Sequence, residues 1–192
     1  AISQKVQEAC REKIERDRKR GIKNRPIRAM VAGIPNVGKS TFINAYAGKN
    51  CAKTGNKPGV TKGKQWIRMG KGLELLDTPG ILWPKFEDPE VGMMLAFTGA
   101  VKEGVIDMEE LACRLMELLL QYYPSTLEER YRVTAPAGTP GYELLEMAGR
   151  NRGFLLARGE IHTERMAKVL LDEFRSGKLG KFTLEQPKEE TI

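Results

Sequence analysis

Histidine is nearly missing from this sequence, which holds His162 alone, and cysteine is scarce, with Cys10, Cys51 and Cys113 set far apart. No two of these cysteines stand at zinc-ligand spacing and one imidazole cannot complete a set, so a structural zinc site is excluded. An odd number of distant cysteines also argues against a disulfide framework and for plain thiols in a reducing compartment. No apolar run is long enough to span a bilayer, and the N-terminus lacks the layout of a signal peptide. A soluble, cytoplasmic protein with no membrane partner is expected. Acidic charge is short as well: 32 Lys and Arg face 25 Asp and Glu, a net charge of +7. The excess sits at the front. Residues 1–28 carry ten basic and four acidic side chains (+6), residues 29–103 ten and six (+4), and residues 104–192 twelve and fifteen (−3). Two readings stand for this asymmetry, a polyanionic partner such as RNA and a solvated charged surface.

With 192 residues, 41% of them hydrophobic, the chain can bury a core as one domain or as two small ones. Its most informative stretch is Gly33-Ile34-Pro35-Asn36-Val37-Gly38-Lys39-Ser40, which reads G-x-x-x-x-G-K-S. Glycines at that spacing let the backbone curl its N–H groups toward phosphates, the lysine reaches the β- and γ-phosphates, and the serine hydroxyl can ligate Mg²⁺. The context fits, because Ile27–Ala32 is an apolar run suited to a buried strand and Thr41–Ala47 continues as a helix stopped by Gly48. Pro35, Asn36, Val37, Gly38, Lys39, Ser40 and Thr41 are therefore the candidate nucleotide-binding residues.

Upstream, Ile2, Val6, Cys10 and Ile14 form an apolar stripe on a helix over residues 1–20. Its basic end, Arg16, Arg18, Lys19 and Arg20, with Lys23, Arg25 and Arg28 beyond, suits a phosphate backbone or water equally. Downstream, the polar stretch 49–63 is broken by Gly55, Pro58 and Gly59 and offers Thr61, a hydroxyl placed to reach Mg²⁺ and the γ-phosphate of a bound triphosphate. Strands over 65–69 and 73–76 lead into Asp77-Thr78-Pro79-Gly80. An aspartate at a strand end suits the Mg²⁺ shell, and the Gly80 N–H is free to approach the γ-phosphate. Lys39, Thr61 and Gly80 are the candidate catalytic residues, and Ser40, Thr61 and Asp77 the candidate Mg²⁺ residues.

After Gly80 the pattern turns helical, with helices expected over 90–103, 108–123, 125–131, 141–148 and 163–176. Ser125 is the expected cap of the third of these, with Glu128 as its capping-box partner. The boundary of a helical second domain is expected near Glu103 and Gly104. Three strands are too few for a nucleotide-binding α/β sheet of about five or six covered on both faces. The base-reading motif N-K-x-D is missing too, since Asn56-Lys57-Pro58-Gly59 has glycine where the carboxylate is needed. The rest of the nucleotide domain is expected upstream of Ala1, in a longer protein.

A base reader that precedes the phosphate loop is a circular permutation. The sequence resembles the circularly permuted GTPases of the RbgA/YlqF family, which act in assembly of the large ribosomal subunit. The likeness rests on residues 33–41, on Pro58-Gly59-Val60-Thr61, on the run from Leu75 through Asp77-Thr78-Pro79-Gly80 to Phe86, and on Tyr123-Pro124, residues 127–131 and Phe182-Thr183-Leu184-Glu185. It implies a partial, circularly permuted α/β P-loop GTPase sheet followed by an all-helical C-terminal domain. Residues 1–27 would be a linker helix from the missing half, 28–103 the GTPase portion, and 104–192 the domain that contacts ribosomal RNA. The implied ligands are GTP or GDP and Mg²⁺, the implied partner is the large-subunit precursor and its rRNA, and a monomer that hydrolyses GTP slowly alone and faster on ribosomal particles is expected.

Two features bear on that expectation. Many GTPases keep a water-orienting glutamine after the glycine, where this chain has Ile81; the family's corresponding histidine lies upstream, and His162 matches no such motif and reads as an exposed or capping residue. Asn36 matches a phosphate-loop asparagine that binds K⁺ in related GTPases, and a loop-holding hydrogen bond is its equal alternative. His162, Arg165 and Lys168, with Arg175, Lys178 and Lys181, read as a solvated face on their own and as an RNA contact by resemblance. The rival function is a nucleotide-sensing RNA-binding module with little hydrolysis; a generic ATPase stands third.

Overall fold

The alternation of apolar and polar side chains along short segments dictates strands with one face to bury, and the longer four-residue spacing beyond them dictates helices. Both are present in the computed structural model, which describes residues 2–22, 25–52, 63–70, 72–83, 85–101, 104 and 106–185. The chain divides into two units, Ala1–Pro84 and Lys85–Ile192.

In the first unit, α1 (Ile2–Ala9) and α2 (Arg11–Lys19) precede strand β1 (Ile27–Val31), helix α3 (Lys39–Ala47), strand β2 (Gln65–Met69) and strand β3 (Leu73–Asp77). The sheet order is β1-β3-β2; β3 runs parallel to β1 and antiparallel to β2. The parallel pair needs a crossover, and α3 supplies it by laying Ile43 on one face of the sheet. There Ile43, Ile67, Met69, Leu73 and Leu75 form the core, with Ile27, Ala29 and Val31 packed against it. Of the expected N-terminal stripe only Val6 packs on this core, while Ile2 and Ile14 are 43% and 42% exposed. The sheet's other face carries Met30 and Trp66, both exposed, beside Glu74, whose carboxylate takes Arg28 at 3.0 Å and Arg68 at 3.4 Å.

The second unit is helical: α4 (Pro89–Phe97), α5 (Met108–Tyr122), α6 (Pro124–Tyr131), α7 (Gly141–Asn151) and α8 (Thr163–Arg175), with a 3-10 turn at Ala157–Gly159 and a bridge between Leu155 and Ile161. Leu111, Leu115, Met116 and Leu119 of α5 meet Leu144, Leu145 and Ala148 of α7 and Met166, Ala167 and Leu170 of α8, all nearly sealed from water. Glu173 ties α6 to α8. Its carboxylate accepts from Arg130, from the Tyr131 hydroxyl at 2.8 Å and from Arg152 at 3.3 Å. The Arg130 hydrogen bond leads in holding its pKa down at about 2.

Two expectations change here. The division falls at Pro84–Lys85, ahead of Glu103, because Ala96 and Phe97 of α4 belong to the helical core and Arg175 donates to both their carbonyls. Ser125 does not cap α6. The helix starts one residue earlier at Pro124, whose missing N–H and fixed φ suit a first helical position, with no side-chain capping bond.

Candidate functional site

Parallel pairing decides where the site lies. Val31 stands opposite Asp77, so the loops that leave the C-terminal ends of β1 and β3 emerge side by side, the usual position of a ligand in an open α/β sheet. The Thr78 hydroxyl donates to the Val31 carbonyl at 2.7 Å and ties the two loop roots together.

The loop before α3 turns through two left-handed residues, Asn36 at φ +59° and Gly38 at φ +89°. Asparagine tolerates that region and glycine enters it freely, so the loop can double back on itself. Lys39 lies over it and donates through Nζ to the carbonyls of Gly33 at 3.1 Å and Ile34 at 2.7 Å. Burial lowers the Lys39 pKa, and the negative charge of Asp77 opposes that fall. Pro35 is buried whereas Asn36 and Val37 are exposed, so Pro35 supports the loop from beneath. Gly80 explains why: a Cβ there would lie 2.5 Å from the Pro35 Cα and N and 2.9 Å from the Ile34 carbonyl carbon. Only glycine lets the chain after β3 lie on the phosphate loop.

Behind the loop, the Ser40 hydroxyl donates to Asp77 Oδ2 at 3.0 Å. Asp77 is 1% exposed, and its Oδ1 is buried with no hydrogen-bond partner among the described residues. A buried carboxylate oxygen with an unused lone pair is costly unless something polar meets it. A hard cation with its water shell fits that oxygen and the adjoining hydroxyl. The donor set suits Mg²⁺.

The structure thus brings together Lys39, Ser40, Asp77 and Gly80 around the loop of Pro35, Asn36, Val37 and Gly38, with Thr41 exposed at the start of α3. Thr61 lies outside the described residues. Ile81 is 76% exposed, an apolar side chain with nothing to orient a water. In the helical unit His162 caps α8, accepting from the Arg165 N–H at 3.3 Å. Arg165 lies over the Phe154 ring at 4.4 Å and Arg175 binds backbone carbonyls, while Lys168, Lys178 and Lys181 are exposed. Motif spacing assigns no role to Thr78, which joins the loop roots, or to Asn44, a polar residue inside α3 one turn past Ser40 whose side chain bonds the backbone of Cys51 and Ala52.

The family model described as "50S ribosome-binding GTPase" matches residues 28–133. The chain is 48% identical to Ribosome biogenesis GTPase A of Bacillus cereus over 93% of its own length and 60% of the relative's, and 46% identical to that of Bacillus pumilus over 94% and 64%. Among solved structures it is similar to a GDP-bound YlqF, with a TM-score of 0.61 at 25% identity over 90% of this chain and 66% of that one. A GNP-bound YlqF from Thermotoga maritima matches with a TM-score of 0.54 at 26% identity, over 84% and 60%. The chain spans 60 to 64% of the length of these Bacillus relatives.

Proposed function

The chain belongs to the 50S ribosome-binding GTPase family, and from that premise we propose that it forms the phosphate- and metal-binding half of a GTP-hydrolysing switch in assembly of the large ribosomal subunit. The observation that carries this is the Ser40–Asp77 hydrogen bond, with the buried Asp77 Oδ1 left without a partner among the described residues, directly behind a loop that Lys39 holds ready. The base reader and the remaining strands lie upstream in the longer protein, in permuted order. The switch works in the cytoplasm, as a monomer, against the ribosomal precursor.

Phosphoryl transfer asks a protein for position and charge more than for covalent chemistry. When triphosphate enters, the Lys39 ammonium would exchange the Gly33 and Ile34 carbonyl oxygens for phosphate oxygens, so these contacts hold the cation where it will be used. Asp77 and Ser40 would hold Mg²⁺, joined by Thr61, and the ion would supply charge neutralisation across the β- and γ-phosphates. The Gly80 N–H, on a segment whose lack of a Cβ lets it lie against Pro35, would serve the γ-phosphate. Asn36 keeps the left-handed turn, and its K⁺ role is tested by exchanging K⁺ for Na⁺ in a hydrolysis assay.

The exposed Ile81 supports slow hydrolysis by the protein alone and acceleration on the particle. It also supports the second reading, a nucleotide-sensing RNA-binding module, in which Lys168, Lys178 and Lys181 with the helical unit meet rRNA. Competition between GTP and ATP for the full-length protein, with Lys39→Ala as control, tests the nucleotide assignment. GTP should win and the variant should bind neither well; equal competition by ATP refutes the guanine switch.

A further inference from the structure

Cys51 and Ala52 lead directly into residues 53–62, which include Thr61. Their backbone is held by one side chain of α3. Asn44 Oδ1 accepts from the Cys51 N–H at 3.0 Å and the Ala52 N–H at 2.7 Å, and its Nδ2 donates to the Ala52 carbonyl at 2.8 Å. Both ends of the amide are used, so no isosteric apolar residue can replace it. Ala52 is buried and Asn44 half-buried, which shelters these bonds from competing water. Asparagine is a poor interior helix residue, and three hydrogen bonds offset that preference here.

Ser40 and Asn44 are four residues apart in α3 and share a face. One helix turn therefore separates the metal-site hydroxyl from the anchor of Ala52. The far side of the same segment is fixed too, because Gln65 pairs opposite Asp77. The chain between Ala52 and Gln65 starts from the phosphate-loop helix and returns beside the metal-site aspartate.

We propose that Asn44 is a positioning residue of the switch, clamping the root of the Thr61 segment to α3 so that triphosphate is preferred over diphosphate. This rests on the reading above, in which Thr61 meets the triphosphate and its cation. The clamp touches no phosphate and acts only through the segment it holds.

The test measures affinities of the full-length protein for a fluorescent GDP and a non-hydrolysable GTP analogue with Mg²⁺ present. Asn44→Ala should weaken the analogue roughly tenfold, the scale of one or two net hydrogen bonds, and GDP by no more than about twofold. Asn44→Asp keeps the acceptor for both N–H groups and should fall between wild type and Asn44→Ala. In the Thr61→Ala background, Asn44→Ala should add less than about twofold, because both changes interrupt one path. Equal weakening of both nucleotides, or full additivity with Thr61→Ala, overturns the proposal. So does analogue binding that falls in Thr61→Ala and is unchanged in Asn44→Ala, with the switch reading left standing. Thr61→Ala with unaltered analogue binding overturns the switch reading and the clamp together.

Discussion

Gly80→Ala perturbs the site by one methyl group at the contact that joins its two halves. The new Cβ would stand 2.5 Å from the Pro35 Cα and N and 2.9 Å from the Ile34 carbonyl carbon. Those are backbone atoms, and the loop is pinned by the Lys39 bonds to Gly33 and Ile34, so no side chain can swing aside. Carbon atoms rest about 3.5 Å apart, and the two strands' loops must therefore separate by roughly 1 Å. Gly80 has no positive φ, which leaves this separation as the effect of the substitution. A positioning group displaced on the order of 1 Å loses on the order of a hundredfold in rate. In the proposed switch the displaced group would serve the γ-phosphate, so GDP binding, which would use the other end of the loop, should change by less than about fivefold. Single-turnover GTP hydrolysis and a fluorescent GDP titration on the full-length protein read the two effects separately. Hydrolysis within about threefold of wild type would refute the packing of Gly80 on the loop. A parallel collapse of GDP affinity would refute the assignment of Gly80 to the γ-phosphate end.

Asp77→Asn retains a side-chain oxygen near Ser40 but removes the charge from the buried position, and the Mg²⁺ concentration giving half-maximal nucleotide binding should rise roughly tenfold or more; an unchanged Mg²⁺ titration contradicts the metal assignment. Glu173 should contribute to the acid stability of the helical unit. Its pKa falls from the ordinary 4.5 to about 2 on folding, so its stabilisation is complete above the unfolded value and drains away as pH drops from 4.5 toward 2. At about 1.4 kcal/mol per pH unit that is worth about 3 kcal/mol. Urea unfolding followed by circular dichroism at several pH values should show this slope in wild type and its loss in Glu173→Gln; identical slopes would sink the assignment.

The phosphate loop and its strand and helix were legible because the motif, the apolar run at Ile27 and the stop at Gly48 all lie close together in the chain. Asp77 and Gly80 followed from their place after a strand. Other features depend on contacts between residues far apart in sequence. Thr78 finds Val31 across 47 positions, Glu173 collects Arg130 and Tyr131 from another helix, and the crowding at Gly80 comes from Pro35. No local pattern announces such pairings. The division between the units lies earlier than the helical pattern suggests for a related reason: α4 looks like any short apolar helix, and its packing is what joins Ala96 and Phe97 to the second core. Ser125 offered a good capping box on paper, yet Pro124 began the helix first. Asn44 looked like an ordinary polar residue in a helix until Cys51 and Ala52 folded back against it.

The most direct test of the account is the rate of GTP hydrolysis by the full-length protein with and without large ribosomal subunits, beside Lys39→Ala. The rate should be low alone, because Ile81 offers a water no hydrogen bond, and should climb by at least roughly tenfold on the subunit. Lys39→Ala should remove hydrolysis in both conditions. A rate that the subunits leave unchanged, or that survives in Lys39→Ala, would contradict a switch built on this loop and read by the ribosome.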